Sequence, residues 1–424
     1  MTQTIIIFVA ITFIFFNRLL YKKMFTLPSI ITLIWCSTLY LANFGLFEVF
    51  VPSFEVTIYA LTFVTSFNIF SFIFSIFYTK RKKTITEISN MEINSKLLSQ
   101  ILIILIIALI FIYRKSLLLF ITTGNFNTVR NAYINWESID NYMQVFTSIT
   151  ISPIGKALYI LSIIDYVNTK KIKSNLILSL IFVFLSMLLT AGRGIAVNIV
   201  LIFLISLWLK EKSLKNIVHN NKKIVKYLFL FVIILTIVTN QRNLSGGNLF
   251  TSLYVYFCGC FNLFGVYLEK NLVFGESLMY GQALISGFSF PIIQLIRYVF
   301  KIDILPGNYL LEELATGKYI AISPTIAINA TPTSMFAAIR DFGELGLIIY
   351  PLVIAFFYTK LKNAYKNKNN LLTEAFFVFF ISEALFLNMS YNFGKFQTSS
   401  IFIYMFIIYK ISKKKEKNYV KKNN

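Results

Sequence analysis

The 424-residue chain predicts an all-α fold: a polytopic membrane helix bundle of about eleven spans, with a large extramembrane loop that itself contains helices. Three observations predict it. Apolar runs recur from end to end, most of them close to the ~18–20 residues that cross a bilayer core of ~30 Å. Mean hydropathy is +0.71, and 57% of the residues are hydrophobic. Basic residues gather in short stretches between the runs, as loops beside a membrane do. No separate soluble region stands out, so residues 1–424 read as one integral membrane domain.

The spans follow in order at approximately 4–20, 27–47, 56–78, 97–113, 146–167, 174–190, 195–209, 227–239, 343–359, 371–389 and 398–411. The first has no charged stretch before it and no small-residue cleavage site after it, so it reads as a retained helix rather than a signal peptide. The lysine-rich stretches at 18–23, 80–83, 170–173, 210–226 and 360–368, and the basic tail 413–424, all fall on one side when the spans alternate. Positive-inside makes that side cytoplasmic, with the N-terminus outside and the C-terminus inside. The net charge of +22 therefore serves topology, and no nucleic-acid partner is expected. His219, the only histidine, falls in the basic loop "KNIVHNNKK" and reads as solvated. Cys36, Cys258 and Cys260 have neither zinc spacing nor a disulfide framework.

Two outward loops are large, 114–145 and 240–342. The second contains the apolar stretches 249–268 and 279–300. Their connection, "EKNLVFGES", carries one lysine against two glutamates and makes a poor cytoplasmic loop, so the expectation is helices lying at the outer surface or re-entrant, covered by protein.

This topology separates the two cations. Of 32 lysines, 26 fall on the cytoplasmic side; of eight arginines, only Arg18 and Arg81 do. Arg114, Arg130, Arg193, Arg242, Arg297 and Arg340 fall outside, where positive-inside does not explain them. Arginine offers a planar fork that grips phosphate bidentately. The implied ligand is an anion on the outer side, with a pyrophosphate the natural instance. Arg114, beside Lys115 at a span end, fits snorkelling to headgroups instead.

Arg193 lies in "TAGRG", the tight turn between spans six and seven. Gly192 and Gly194 allow unusual backbone angles and close approach of a ligand, and the helix start that follows presents free N–H groups. The second constellation is "NATPTSMFAAIRDFGELG", residues 329–346. Here Asp341 is placed near a helix N-terminus, either as a cap or partner of Arg340 or as a general base at the membrane face. Glu383 is read as a mid-span acid, either functional or paired within the bundle.

Four motifs in order, "NTVRNAY" (127–133), "TAGRG" (190–194), "YVYFCGCFNLFGVYLEK" (254–270) and "INATPTSMFAAIRDFGELG" (328–346), resemble the oligosaccharide repeat-unit polymerases of the Wzy type, which build O-antigen, capsule and related polysaccharides. The resemblance covers roughly residues 127–358. It implies a glycosyltransferase-C-like bundle that moves a growing glycan from undecaprenyl pyrophosphate to a new lipid-linked repeat unit, at the outer face of a bacterial cytoplasmic membrane. It implies no cofactor and no metal. The partners implied are lipid-linked oligosaccharide and membrane lipid, with a chain-length regulator and a flippase as associated proteins. The candidate catalytic residues are Arg193, Arg340 and Asp341; the candidate substrate-binding residues are Arg130, Gly192, Gly194, Arg242, Tyr256, Thr331 and Gly343. Aromatic residues of the outer loops, Tyr256 among them, offer faces for sugar rings. Two rivals remain: an O-antigen ligase, disfavoured because the outer loops hold no histidine, and a flippase or transporter, disfavoured because no internal repeat is visible.

Overall fold

The computed structural model is almost entirely helical. It describes residues 2–22, 26–79, 94–134, 141–190, 192, 194–211, 219, 236, 249–274, 277–302, 304–307, 309, 311, 320–328, 333–368 and 370–412. The expected span 227–239, apart from residue 236, and the basic tail 413–424 lie outside the described residues. Among the described residues eight helical segments are long and apolar enough to cross a membrane, and the shorter helices Leu27–Ala42 and Ser174–Thr190 are apolar too.

The chain divides into two compact units. The first comprises residues 1–84, 242–364 and 379–400. It begins with α1 (Thr2–Tyr21), α2 (Leu27–Ala42) and α3 (Phe54–Thr79). Helix α2 starts where the sequence says it should: the Thr26 hydroxyl accepts from Ser29 N–H, and Pro28 occupies the first turn. It ends earlier than expected, at residue 42 rather than 47, because Gly45 adopts a left-handed φ of 59°. Three polar side chains tie these helices. Asn17 Nδ2 donates to Asn68 Oδ1 at 2.7 Å, and Asn68 Nδ2 donates to Thr32 Oγ1 at 2.8 Å, all buried. Trp35 stacks on Phe63 with centroids 4.8 Å apart.

The loop expected over 240–342 contributes to this unit α11 (Leu249–Glu269), α12 (Gln282–Phe300), α13 (Ser334–Phe342) and a two-residue hairpin that pairs Ile320 with Ile328. Helix α11 packs on the connection between α2 and α3. Tyr254 OH donates to Leu41 O at 3.1 Å, Asn262 Nδ2 donates to Phe50 O, and Gly265 lies against Pro52 and Val56. Farther along, Phe261 of α11 meets Trp35 of α2 with ring centroids 5.8 Å apart, and both Phe250–Glu269 and Gln282–Phe300 are among the helices long and apolar enough to cross a membrane. Helix α12 is much less covered: Ala283, Ser286, Gly287 and Phe290 are buried, whereas Ile292, Leu295, Tyr298, Val299 and Phe300, beyond Pro291, are exposed. Most of α14 (Gly346–Lys368) belongs here as well. The stretch after α15 (Leu371–Ala384) turns tightly through a 3-10 segment at Asn392–Gly394.

The second unit comprises residues 85–241, 365–378 and 401–424. It contains α4 (Ser95–Ile112), α8 (Ser152–Thr169), α9 (Ser174–Thr190) and α10 (Gly194–Glu211). Asn175 Nδ2 donates to Ser162 Oγ at 3.1 Å, and Tyr159 OH donates to Asn198 Oδ1 at 2.7 Å, linking α8 to α9 and to α10. Within the stretch expected as an outer loop, 114–145, the described residues form α5 (Arg114–Thr123), α6 (Phe126–Ile134) and α7 (Asn141–Phe146), followed by a π-helical turn Thr147–Ile151. The second half of α16 (Phe396–Ser412) closes the unit, and Ser412 O accepts from Asn94 N–H.

In the second unit, helix ends assigned by alternation to one face meet one another. At the lysine-rich face, Lys210 Nζ donates to the last carbonyls of α8, Val167 O (2.6 Å) and Asn168 O (2.9 Å), and Lys173 pairs with Asp165 at 2.9 Å. At the opposite face, α6 packs on the end of α9.

Candidate functional site

The two sequence constellations each form a cluster, one in each unit. In the first unit the cluster grows from the end of α13. Gly343 breaks the helix with φ 61°, so Arg340 and Asp341 occupy its last turn. Expectation placed Asp341 at the N-terminus of the next helix. It sits instead in the last turn of α13 and caps a different helix, α12. Asp341 Oδ1 accepts from Ala283 N–H at 3.0 Å, and Oδ2 accepts from Leu284 N–H at 2.8 Å. The α12 N-cap residue, Gly281, has no side chain and a left-handed φ of 89°, so the capping oxygen comes from 60 residues away in sequence. Tyr350 OH donates to Oδ2 at 2.7 Å. Two backbone bonds reinforce the join, from Met279 N–H to Arg340 O and from Tyr280 N–H to Asp341 O, both 2.9 Å. Tyr391 closes the far side: its ring is 4.8 Å from that of Tyr350, and its hydroxyl donates to Leu284 O at 3.2 Å. Of the two readings of Asp341, cap or base, this geometry is that of a cap. Its carboxylate is fully buried, and both oxygens are taken by protein donors.

Arg340 is different. It is 8% exposed, and its Nε and Nη1 are buried with no hydrogen-bond partner. A buried cation with unsatisfied donors is costly, and the missing partner is an acceptor with negative charge. Spacing of four along a helix puts Arg340 on the same face as Phe336, whose ring meets Tyr267 of α11 at 5.4 Å edge to face. Just beyond, Glu344 is exposed, and one of its oxygens accepts from Tyr59 OH of α3 at 2.8 Å. Tyr256, on α11, is 46% exposed.

In the second unit the first-loop motif meets the "TAGRG" motif. Arg130 Nη1 donates to Thr190 O, the last residue of α9, at 3.4 Å, and the guanidinium carbon sits 5.5 Å from the Tyr133 ring centroid. Arg130 Nε is buried without a partner. Thr190 Oγ1 accepts from Gly192 N–H at 3.2 Å. Gly194 starts α10, exposed, with open space where a side chain would be. Arg193, Arg242 and Thr331 lie outside the described residues.

Arg114 and Glu383 are placed as well. Arg114 packs its guanidinium 5.4 Å from the Phe111 ring centroid. Glu383 lies in the last turn of α15 rather than mid-span, because the helix ends at residue 384; Asn392 Nδ2 donates to it at 3.0 Å. Tyr350, Tyr391, Tyr59 and Glu344 are site residues that sequence reasoning passed over. Only Glu344 carried a signal, its place in the "IRDFGELG" motif. No family model, curated protein or solved structure matches the chain.

Proposed function

We propose that this protein polymerises lipid-pyrophosphate-linked oligosaccharide repeat units by glycosyl transfer at the outer face of a bacterial cytoplasmic membrane, as the four-motif resemblance implies. The observation that carries the reading is Arg340: a guanidinium nine-tenths buried, with two donors lacking an acceptor, in the motif that the resemblance makes functional. A polymerase of this class must stabilise a departing pyrophosphate, and preorganised cations in a low-dielectric site do that best. Arg130, packed on the "TAGRG" turn, and Arg193 serve as further anion grips, with Gly192, Gly194 and Gly343 leaving room for backbone approach. Arg242, Tyr256 and Thr331 complete the substrate contacts. Asp341 acts by holding α12 against α13.

The test is reconstitution. The purified protein, in lipid nanodiscs with undecaprenyl-pyrophosphate-linked repeat units, is expected to give a ladder of longer glycans. Arg340→Lys keeps the charge but loses the bidentate fork, and Arg340→Ala loses both. Removing one preorganised donor set costs about 10²–10³-fold in turnover, and the Ala form is expected to be the slower of the two. No ladder from the native protein ends the reading. An undiminished ladder from Arg340→Ala removes the site assignment.

A further inference from the structure

The reaction proposed above needs a group to take the acceptor's proton, and Asp341 is occupied. Tyr59 OH lies 2.8 Å from Glu344 Oε1 and also 2.8 Å from Glu55 Oε1. Both distances are those of full O–H···O hydrogen bonds. A phenol has one hydrogen to give and a carboxylate has none, so one hydrogen cannot serve both contacts. The phenol therefore donates to one carboxylate at a time and can turn its hydrogen from one to the other, so that it bridges Glu344 and Glu55. Tyr59 is buried, whereas both glutamates are exposed. The carboxylates therefore face outward and are held from behind.

A separate observation points to an anion-binding side chain close by in the chain. Arg340, four residues before Glu344, has buried donors with no acceptor. It lies on the face of α13 that carries Phe336, turned to α11, and α13 also packs against α3, whose first turns carry Glu55 and Tyr59. An anion grip and an outward-facing carboxyl pair bridged by a phenol thus adjoin one stretch of chain, residues 340–344. The other charged groups on elements packed against α3 are Arg18 on α1, Glu269 at the end of α11, Arg340 and Asp341 on α13, and the lysines of α14, whose Tyr358 and Phe356 meet Phe67 and Phe74 of α3; only the two glutamates bond to the phenol.

We infer that Glu344 is the general base of the transfer, with Tyr59 and Glu55 relaying the proton away; this rests on the polymerase reading above. The acceptor hydroxyl's O–H bond breaks and its proton goes to the Glu344 carboxylate. The oxygen forms the new bond to the anomeric carbon. The bond from that carbon to the pyrophosphate oxygen breaks, and its electron pair leaves with the lipid pyrophosphate. The Glu344 proton then passes through Tyr59 OH to Glu55, at the surface.

Two measurements test it. In the ladder assay, Glu344→Gln is expected to lower turnover by about 10²–10⁴-fold, the usual contribution of a general base, with KM for the lipid-linked unit little changed. Tyr59→Phe and Glu55→Gln are expected to displace the pH–rate profile, which a merely structural contact would not do. Size-exclusion profiles check that each variant is folded, and Glu344→Asp supplies a conservative replacement if Glu344→Gln is not. A native ladder together with unchanged turnover and pH profile in Glu344→Gln overturns the inference while sparing the polymerase reading. Absence of a native ladder falls on the polymerase reading instead.

Discussion

At the scale of single residues, the neighbours Arg340 and Asp341 divide the work between them. Asp341 is satisfied by three donors, and Arg340 has donors to spare. Replacing Asp341 by Ala orphans two amides and a phenol. Each buried, unsatisfied group costs about 1–3 kcal/mol, so Asp341→Ala is expected to lower the unfolding temperature in detergent by several degrees. Asp341→Asn should be nearly as harmful, because an amide turns hydrogens toward donors. A carboxylate needed only as a base would behave otherwise: its Asn variant would keep the native unfolding temperature and lose turnover alone. Sequence could raise Asp341 as a cap, since acids favour helix starts. It could not say whose start, because the N-cap of α12 is a glycine whose capping oxygen arrives from a distant segment.

At the scale of elements, helix identity was legible and helix ends were not. Expected and observed limits agree closely for α1, α9 and α10, where apolar runs stop at lysines or glycines. They part at α2 and α15, whose apolar runs continue through a tight turn: hydropathy does not register a left-handed Gly45 or the turn after residue 384. Helices were anticipated over 249–268 and 279–300 but not over 114–145, where short helices are too polar to stand out. Helix α12 carries its own prediction. A side chain at Gly287 would run into the Ser399 side chain and the Phe393 carbonyl, so only glycine permits this approach. Gly287→Val is expected to raise amide hydrogen exchange over residues 283–290. Exchange over 293–300, beyond Pro291, should hardly change, because that half is already largely exposed.

At the scale of the whole molecule, alternation of spans makes a claim that chemistry can check. The three native cysteines are all buried, so a single introduced thiol reports its own side. A membrane-impermeant maleimide applied to intact cells is expected to label Gly124→Cys, and to label Lys171→Cys only after permeabilisation; both positions are exposed. The reverse pattern would turn the outward arginines inward and remove the pyrophosphate argument with them. The bundle was legible because apolar length and lysine placement are local properties. The clusters were only partly so. "IRDFGELG" announced itself, whereas Tyr59, Tyr350 and Tyr391 are ordinary aromatic residues in a chain with 17% aromatics, and only folding gives them a task.

The amide of Asn17 bears on how the protein is made. Its partner, Asn68, emerges from the ribosome some 50 residues later, and Asn68 in turn needs Thr32. A side-chain amide left alone among acyl chains is poorly tolerated, although each interhelical bond contributes only about 0.6 kcal/mol on average. The first helix is therefore expected to stay at the insertion machinery until the third arrives, so that early synthesis sets when the amide of Asn17 finds its partner.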